Sequence, residues 1–387
     1  MKFKSTIQDI KQNTDLQINL LLQVILFIPI LVTSSIGSDW DSYAVLASGK
    51  IYITEGLYIP SRPPGFPIYE ILIGALYAIS IDFVLLINFI LNILFLLFVY
   101  SKLSKTTISK IIFHTIFLSS VYLVASFSII DYILGAFFGF LAIEYLKNDR
   151  YLLASISIFI SCGIRLSNLI FLIAMLYFCL MNKKELKVYL FFIFSLFLTA
   201  AIYLPSYQIG GGLCFLNLTN IDHNGIDRVG RFVYKQLQIF GIIGSVLFLY
   251  NLFTNKTKFK DFNVNDKTYL IIIILFELSF LRLPTEKGHL LPALFCLVFL
   301  SDKLFSKSLV VYCLLIFTLL SNFLTIEFLT PDTPNHATTA NFNIKITQGY
   351  YLQDYEQRLL KMENFDNYLQ VGINNIKSDW ANGGPNC

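Results

Sequence analysis

Long apolar runs separated by short polar breaks fill most of this chain. Runs able to form membrane helices fall near residues 18–36, 82–101, 111–128, 132–146, 151–163, 165–181, 187–204, 232–253, 268–282, 288–302 and 308–328. A straight span needs about 20 apolar residues, and several of these runs are shorter. The stretch 151–181 reads as a tight helical hairpin with Arg165 at its turn. The segment 66–80, FPIYEILIGALYAIS, is apolar except for Glu70; with only about 15 residues it reads as a juxtamembrane helix lying in or dipping into the outer leaflet. The pattern predicts an all-α polytopic membrane protein of about 11 transmembrane helices.

Charge placement orients these spans. With the N-terminus inside, alternate loops carry Lys102, Lys105 and Lys110; Lys147 and Arg150; Lys183, Lys184 and Lys187; Lys256, Lys258, Lys260 and Lys267; and Lys303 and Lys307. Together with Lys2, Lys4 and Lys11, these are more than half of the 29 basic residues. Positive charge in short loops marks the cytoplasmic side, and the alternation closes only if 66–80 does not cross. The outward pieces are then a first loop at 37–66, the junction at Ser128 to Asp131, the Arg165 turn, a loop at 205–231, the junction at 283–287 and a polar C-terminal tail at 329–387. Residues 1–328 read as one membrane domain. At 56% hydrophobic and 14% charged the chain is no ordinary soluble globule, and a net charge of +4, dispersed as it is, gives no footing for nucleic acid. Cys162, Cys179, Cys296 and Cys313 sit inside apolar runs without CxxC spacing, which excludes a zinc site or disulfide scaffold; Cys214 and Cys387 are the only pair outside such runs.

The ionisable residues of the outer face gather at span ends. Carboxylates lie early, at Asp39, Asp41, Glu55, Glu70 and Asp131. Basic groups lie later, at Arg165, Arg228, Arg231, Arg282, Lys287 and His289, with Arg62 among the carboxylates. A carboxylate facing guanidinium groups suits a reaction in which a base takes a hydroxyl proton while cations stabilise a departing phosphate. Each has a structural alternative. Asp39 or Asp41 can cap a helix starting near Ser42, Asp131 can cap the following span, and Arg62 beside Pro63-Pro64-Gly65 can be a snorkelling residue on a rigid turn. Glu70 reads as a solvated residue on a surface helix. Gly210-Gly211-Gly212 lacks the Gly-Lys-Ser/Thr of a phosphate loop and reads as a hinge.

Asp39 with Tyr43, Gly56-Leu57-Tyr58, and the run Ser61-Arg62-Pro63-Pro64-Gly65-Phe66-Pro67 resemble the first outer loop of the GT-C glycosyltransferases, in particular the group similar to protein O-mannosyltransferases and the aminoarabinose transferase of lipid A. Asp131 at the start of a span, Gly163-Ile164-Arg165-Leu166-Ser167, and Arg282-Leu283-Pro284 followed by His289-Leu290-Leu291-Pro292 resemble three further motifs of that family in order. The resemblance covers residues 18 to about 300. It implies transfer of a sugar from a polyprenyl phosphate or diphosphate to a glycan, lipid or protein acceptor on the outer face, usually with inversion. It makes Asp39 the general base, with Asp41 as the alternative because the family's Asp-Glu is here Asp39-Trp40-Asp41. Tyr43, Arg62, Asp131, Arg165, Arg282, Lys287 and His289 become substrate contacts, His289 standing where the family has tyrosine. No cofactor is required; a divalent cation on Asp39, Asp41 and Asp131 is the alternative. The compact loops point to a bacterial inner membrane with the site facing the periplasm. A transporter or lipid-linked sugar flippase is the rival reading, disfavoured by the lack of internal repeats and by charges at span ends rather than mid-span. A non-catalytic envelope scaffold leaves the acidic loop unexplained.

Overall fold

The computed structural model describes residues 13–104, 106–209, 225–255, 261–282, 284, 286–331 and 340–381. The described chain is helical almost throughout. In order, the helices are α1 (Thr14–Val32), α2 (Trp40–Glu55), α3 (Pro67–Tyr77), α4 (Ile81–Lys102), α5 (Thr107–Phe117), α6 (Ser120–Phe127), α7 (Tyr132–Lys147), α8 (Tyr151–Ile164), α9 (Leu169–Met181), α10 (Leu186–Ile202), α11 (Leu204–Ile209), α12 (Gly225–Leu237), α13 (Gly241–Thr254), α14 (Val264–Arg282), α15 (Leu291–Leu304) and α16 (Ser308–Ser321). An antiparallel hairpin of β1 (Leu324–Pro331) and β2 (Ala340–Gln348) follows, then α17 (Tyr350–Met362) and α18 (Phe365–Ala381).

Among the described residues two helices, α1 and α4, are long and apolar enough to cross a membrane, or up to four elements if each bent pair counts as one span. The run expected as a span at 111–128 is one such pair, α5 and α6, bent by 53°. The run at 232–253 is broken more sharply: α12 and α13 meet at 91°, with Gly241 at φ +68° supplying a backbone conformation that L side chains rarely adopt. Further apolar helices, among them α3, α8, α10 and α16, have 10–17 residues. The first outer loop expected at 37–66 is instead largely helix α2. The 205–231 loop begins with α11 and ends in α12, and Gly210 to Gly212, Cys214 and Asp222 lie outside the described residues, as does Cys387. The C-terminal tail carries the hairpin and two helices.

The chain divides into two compact units. The first comprises Met1–Ile28, Leu96–Val124 and Asp222–Glu356; the second comprises Pro29–Phe95, Ala125–Ile221 and Gln357–Cys387. In the first, Gln23 donates to Asn19 (2.9 Å) and to the Phe117 carbonyl (3.2 Å), and Asn19 meets His114 at 2.9 Å. Phe117 stacks on Phe113 and packs against Phe295, so α5 and α15 share an aromatic core, to which α1 is tied through Gln23.

In the second unit, α2 begins and ends on local signals. Asp39 holds an extended backbone and its Oδ1 accepts from Ser42 N at 3.0 Å, while Gly56 closes the helix at φ +69°. α3 starts on Pro67, whose missing N–H is no loss at that position. At 1.5 Å per residue its 11 residues rise about 16 Å, half of a bilayer's hydrocarbon. α2 and α3 press together through Gly49 and Gly74. A Cβ on Gly49 would lie 2.5 Å from the Glu70 carbonyl and 2.7 Å from Gly74 N; one on Gly74 would lie 2.3 Å from the Gly49 carbonyl. Only glycine lets the two backbones approach so closely.

The obstacle on both sides is backbone, so alanine at either position must push the helices apart. Gly49→Ala and Gly74→Ala are each expected to destabilise by about 1–3 kcal/mol, the usual range for overpacking. Gly56→Ala, with open space around it, should lose only its conformational advantage, about 1 kcal/mol. Thermal unfolding of the detergent-solubilised variants checks the order; equal losses at all three would remove the close approach as the cause.

Candidate functional site

Four of the residues singled out by sequence converge in the second unit. Asp41, in the first turn of α2, forms an ion pair with Arg62 of the α2–α3 loop. Asp131, which precedes α7, pairs with Arg165 at 2.6 Å. The two pairs meet across Phe66. The Arg62 guanidinium lies 4.9 Å from the centre of that ring and the Arg165 guanidinium 5.6 Å from it, with Arg165 also 4.1 Å from the Tyr132 ring. Arg62 and Asp41 are close enough to Arg165 to act on its charge. Aromatic faces accept guanidinium groups, which lets two cations share a small apolar space.

Local folding places each group. Arg165 sits in extended backbone between α8 and a 3-10 turn at Leu166–Asn168 that leads into α9. Ser161 donates to the Gly135 carbonyl (2.6 Å) and Asn168 to the Ser161 carbonyl (3.1 Å), tying that break to α7. Asp131 makes no side-chain cap on α7, so the capping role open to it from sequence is not the one it plays. The pairs differ in exposure. Asp131 and Arg165 side chains are 1% and 9% exposed, whereas Asp41 and Arg62 are 24% and 31% exposed. The inner pair is buried, and the outer pair is partly open to water.

Glu70 is the residue that sequence reasoning misplaced. It is fully buried, not solvated on a surface helix. Its Oε1 accepts from Ser61 N at 3.0 Å; its Oε2 accepts from Phe66 N at 3.2 Å and from the Tyr58 hydroxyl. Burial raises its pKa while these donors pull it down, and the net direction is up. The overlooked signal is that Glu70 is the only ionisable carboxylate in an otherwise apolar eleven-residue helix. Such a group needs buried donors.

Asp39 caps α2, as its structural alternative anticipates. Tyr43 is buried against Phe365 and Tyr368 of α18, with ring centres 5.9 and 5.6 Å away, which gives it a packing role. Burial pushes its phenol up to about 12, so it stays protonated at neutral pH. The C-terminal helices grip the same region. Buried Arg358 donates to the Phe127 carbonyl (2.9 Å) and the Ser128 hydroxyl (2.5 Å), Lys361 donates to the Ser38 carbonyl, and Trp380 donates to the Pro60 carbonyl at 2.7 Å. Arg358 lies in a polar helix where nothing in the sequence separates it from its solvated neighbours.

Arg282, Lys287 and His289 belong to the first unit. Arg282 is the exposed last residue of α14. Lys287 is buried on a 3-10 turn with its ammonium 3.4 Å from the centre of the Tyr350 ring, and His289 is half-buried on the same turn. Among the described residues no three His, Cys, Asp or Glu side chains form a metal-holding group, and Asp41 and Asp131 face guanidinium groups instead of each other. In this arrangement Asp39, Asp41 and Asp131, the alternative ligand set for a divalent cation, are engaged with Ser42 N, Arg62 and Arg165.

Removing one member of the inner pair strands a buried charge. Asp131→Leu or Arg165→Leu should each destabilise by about 3–5 kcal/mol, the double variant should recover much of that loss, and Asp41→Asn should change stability by no more than about 1 kcal/mol. Thermal unfolding of the four variants is the check, and an additive double variant would show that the two residues are not coupled. Comparison with known protein families, characterised proteins and solved structures finds no match to this chain.

Proposed function

We propose that this protein is a membrane glycosyltransferase that moves a sugar from a polyprenyl-phosphate carrier to a hydroxyl acceptor at the outer face of a bacterial inner membrane. The observation that carries the reading is the meeting of Asp41–Arg62 and Asp131–Arg165 on Phe66. In the proposed reaction the donor phosphate takes Arg62 as its counter-ion, and Asp41 turns to the acceptor hydroxyl. The proton passes to the Asp41 carboxylate while the acceptor oxygen attacks the anomeric carbon. The carbon–oxygen bond to phosphate breaks with its electron pair on the leaving polyprenyl phosphate, and the anomeric centre inverts. Asp41 is favoured over Asp39 as base because Asp39 holds the start of α2.

The same proposal carries the layout of about 11 spans. The short and bent helices count as spans within it, α3 lies along the outer leaflet, and the residues above face the periplasm. A few long apolar helices fit insertion in a membrane. The rival, a flippase for lipid-linked sugars, uses the same charges without making a new glycosidic bond.

Purified protein in vesicles, given a panel of radiolabelled polyprenyl phosphosugars, should transfer label. Asp41→Asn is expected to lower transfer at least about 100-fold, the low end of what a general base contributes. Asp39→Asn is the matched control, because asparagine caps a helix as well as aspartate does and any loss there reports charge alone. Transfer undiminished in both variants would refute the mechanism. Movement of labelled lipid across the bilayer with no new product would favour the flippase.

A further inference from the structure

The α2–α3 loop carries Arg62 and Phe66, and neither can do its work unless the loop holds one shape. Its supports are unequal. Ser48 donates to the Ile59 carbonyl at 2.6 Å and Trp380 to the Pro60 carbonyl at 2.7 Å, and both act on the arm before Arg62. Glu70 reaches both arms: it takes Tyr58 and Ser61 on one side of Arg62 and Phe66 on the other. We propose that Glu70 is a positioning residue, whose one buried carboxylate sets the conformation of Tyr58 to Phe66 and thereby aims Arg62 at Asp41 and holds the Phe66 ring between the two guanidinium groups.

The donor count explains why a carboxylate is needed. Three donors point at two oxygens, and two of them are backbone N–H groups that cannot reverse direction. In Glu70→Gln the shape is kept but one oxygen becomes NH2. Whichever way the amide turns, its NH2 faces a backbone N–H, either that of Ser61 or that of Phe66. The orphaned group moves away, and the arm that carries it moves too. The close approach of Gly49 to the Glu70 carbonyl fixes the other end of the residue, since α3 cannot shift to follow the loop.

That Arg62 serves the donor rests on the glycosyltransferase reading; that Glu70 positions Arg62 does not, and the two are tested separately. The first measurement needs no activity. Intact protein is treated with phenylglyoxal, an arginine-selective dicarbonyl, and modification of each arginine is followed by mass spectrometry. In Glu70→Gln, Arg62 should react several-fold faster than in the parent and about as fast as in Asp41→Asn, while buried Arg165 and Arg358 stay protected and report an intact fold. An unchanged Arg62 rate overturns the proposal, and so does loss of protection at all three arginines, which would mark Glu70 as a general stability residue. The second measurement uses transfer from the polyprenyl phosphosugar. Glu70→Gln should raise the donor KM about tenfold with a smaller change in kcat, and Glu70→Gln with Arg62→Ala should fall no further than Arg62→Ala alone. Additive losses would mean that Glu70 acts by a route other than Arg62. If the labelling result holds while no variant or parent protein transfers sugar, the positioning role stands and the assigned reaction falls.

Discussion

A guanidinium cannot be left alone in the interior of a chain this apolar, and the pairing of Arg165 with Asp131 is how the second unit meets that constraint. The consequences run outward from the pair. Arg165 lies in a break between α8 and α9, and Asp131 at the start of α7, so the two must be brought side by side. Gly135 makes the approach feasible: a Cβ there would stand 2.5 Å from the Asn168 amide nitrogen and 3.3 Å from Ile164. The hydrogen bonds of Ser161 and Asn168 then close the backbone groups that the break leaves open. The pair itself adds little net stability. What it does is tie the break after α8 to the start of α7.

The same constraint, met a second time by Glu70, shapes the loop on the other side of Phe66. Here the buried carboxyl is met by donors instead of by a cation, and the donors come from the loop that needs ordering. A buried ion pair and a buried carboxyl thus lie beside one aromatic residue. The half-buried Asp41–Arg62 pair is more open to water than the inner pair. Rigidity on the inside and exchange on the outside is the division of labour a site needs when one ion must change partners without loosening its surroundings. The C-terminal helices strengthen the rigid part. Through Arg358, Lys361 and Trp380 they hold the backbone just before α7, just before α2 and within the loop.

Much of this was legible in the amino-acid sequence, for reasons that also explain where it was not. Arg165 and Asp131 stand out because an ionisable residue in an apolar run is expensive, and expense marks purpose. Asp39 stands out as a cap because a short acidic side chain before a helix has local work to do. Glu70 obeys the first rule, but a helix this short reads as a surface element; the rule concerns the residue's surroundings, and those come from Tyr58, Ser61 and Phe66, whose fold around it no periodicity records. The 232–253 run shows the complementary failure. A count of apolar residues sees continuity, whereas the 91° break depends on a single backbone conformation at Gly241. Arg358 could not be found at all, since its burial is decided by Phe127 and Ser128, more than two hundred residues away in the chain.

The position of the two early carboxylates bears on the order of events in the proposed reaction. Asp39 caps α2 and Asp41 lies in its first turn, where the helix dipole favours negative charge, and Asp41 also faces Arg62. A carboxylate held by a guanidinium has to be released before it can serve as the proposed base. In the proposed reaction the anionic donor supplies that release. A phosphate that draws Arg62 toward itself frees Asp41 to turn to the acceptor hydroxyl in this scheme. Glu70 is what keeps this exchange local: with both arms of the loop tied to it, Arg62 can swing between two anions while Phe66 and the inner pair stay where they are. An acceptor hydroxyl that reached the proposed site before the donor would meet a carboxylate still paired with Arg62.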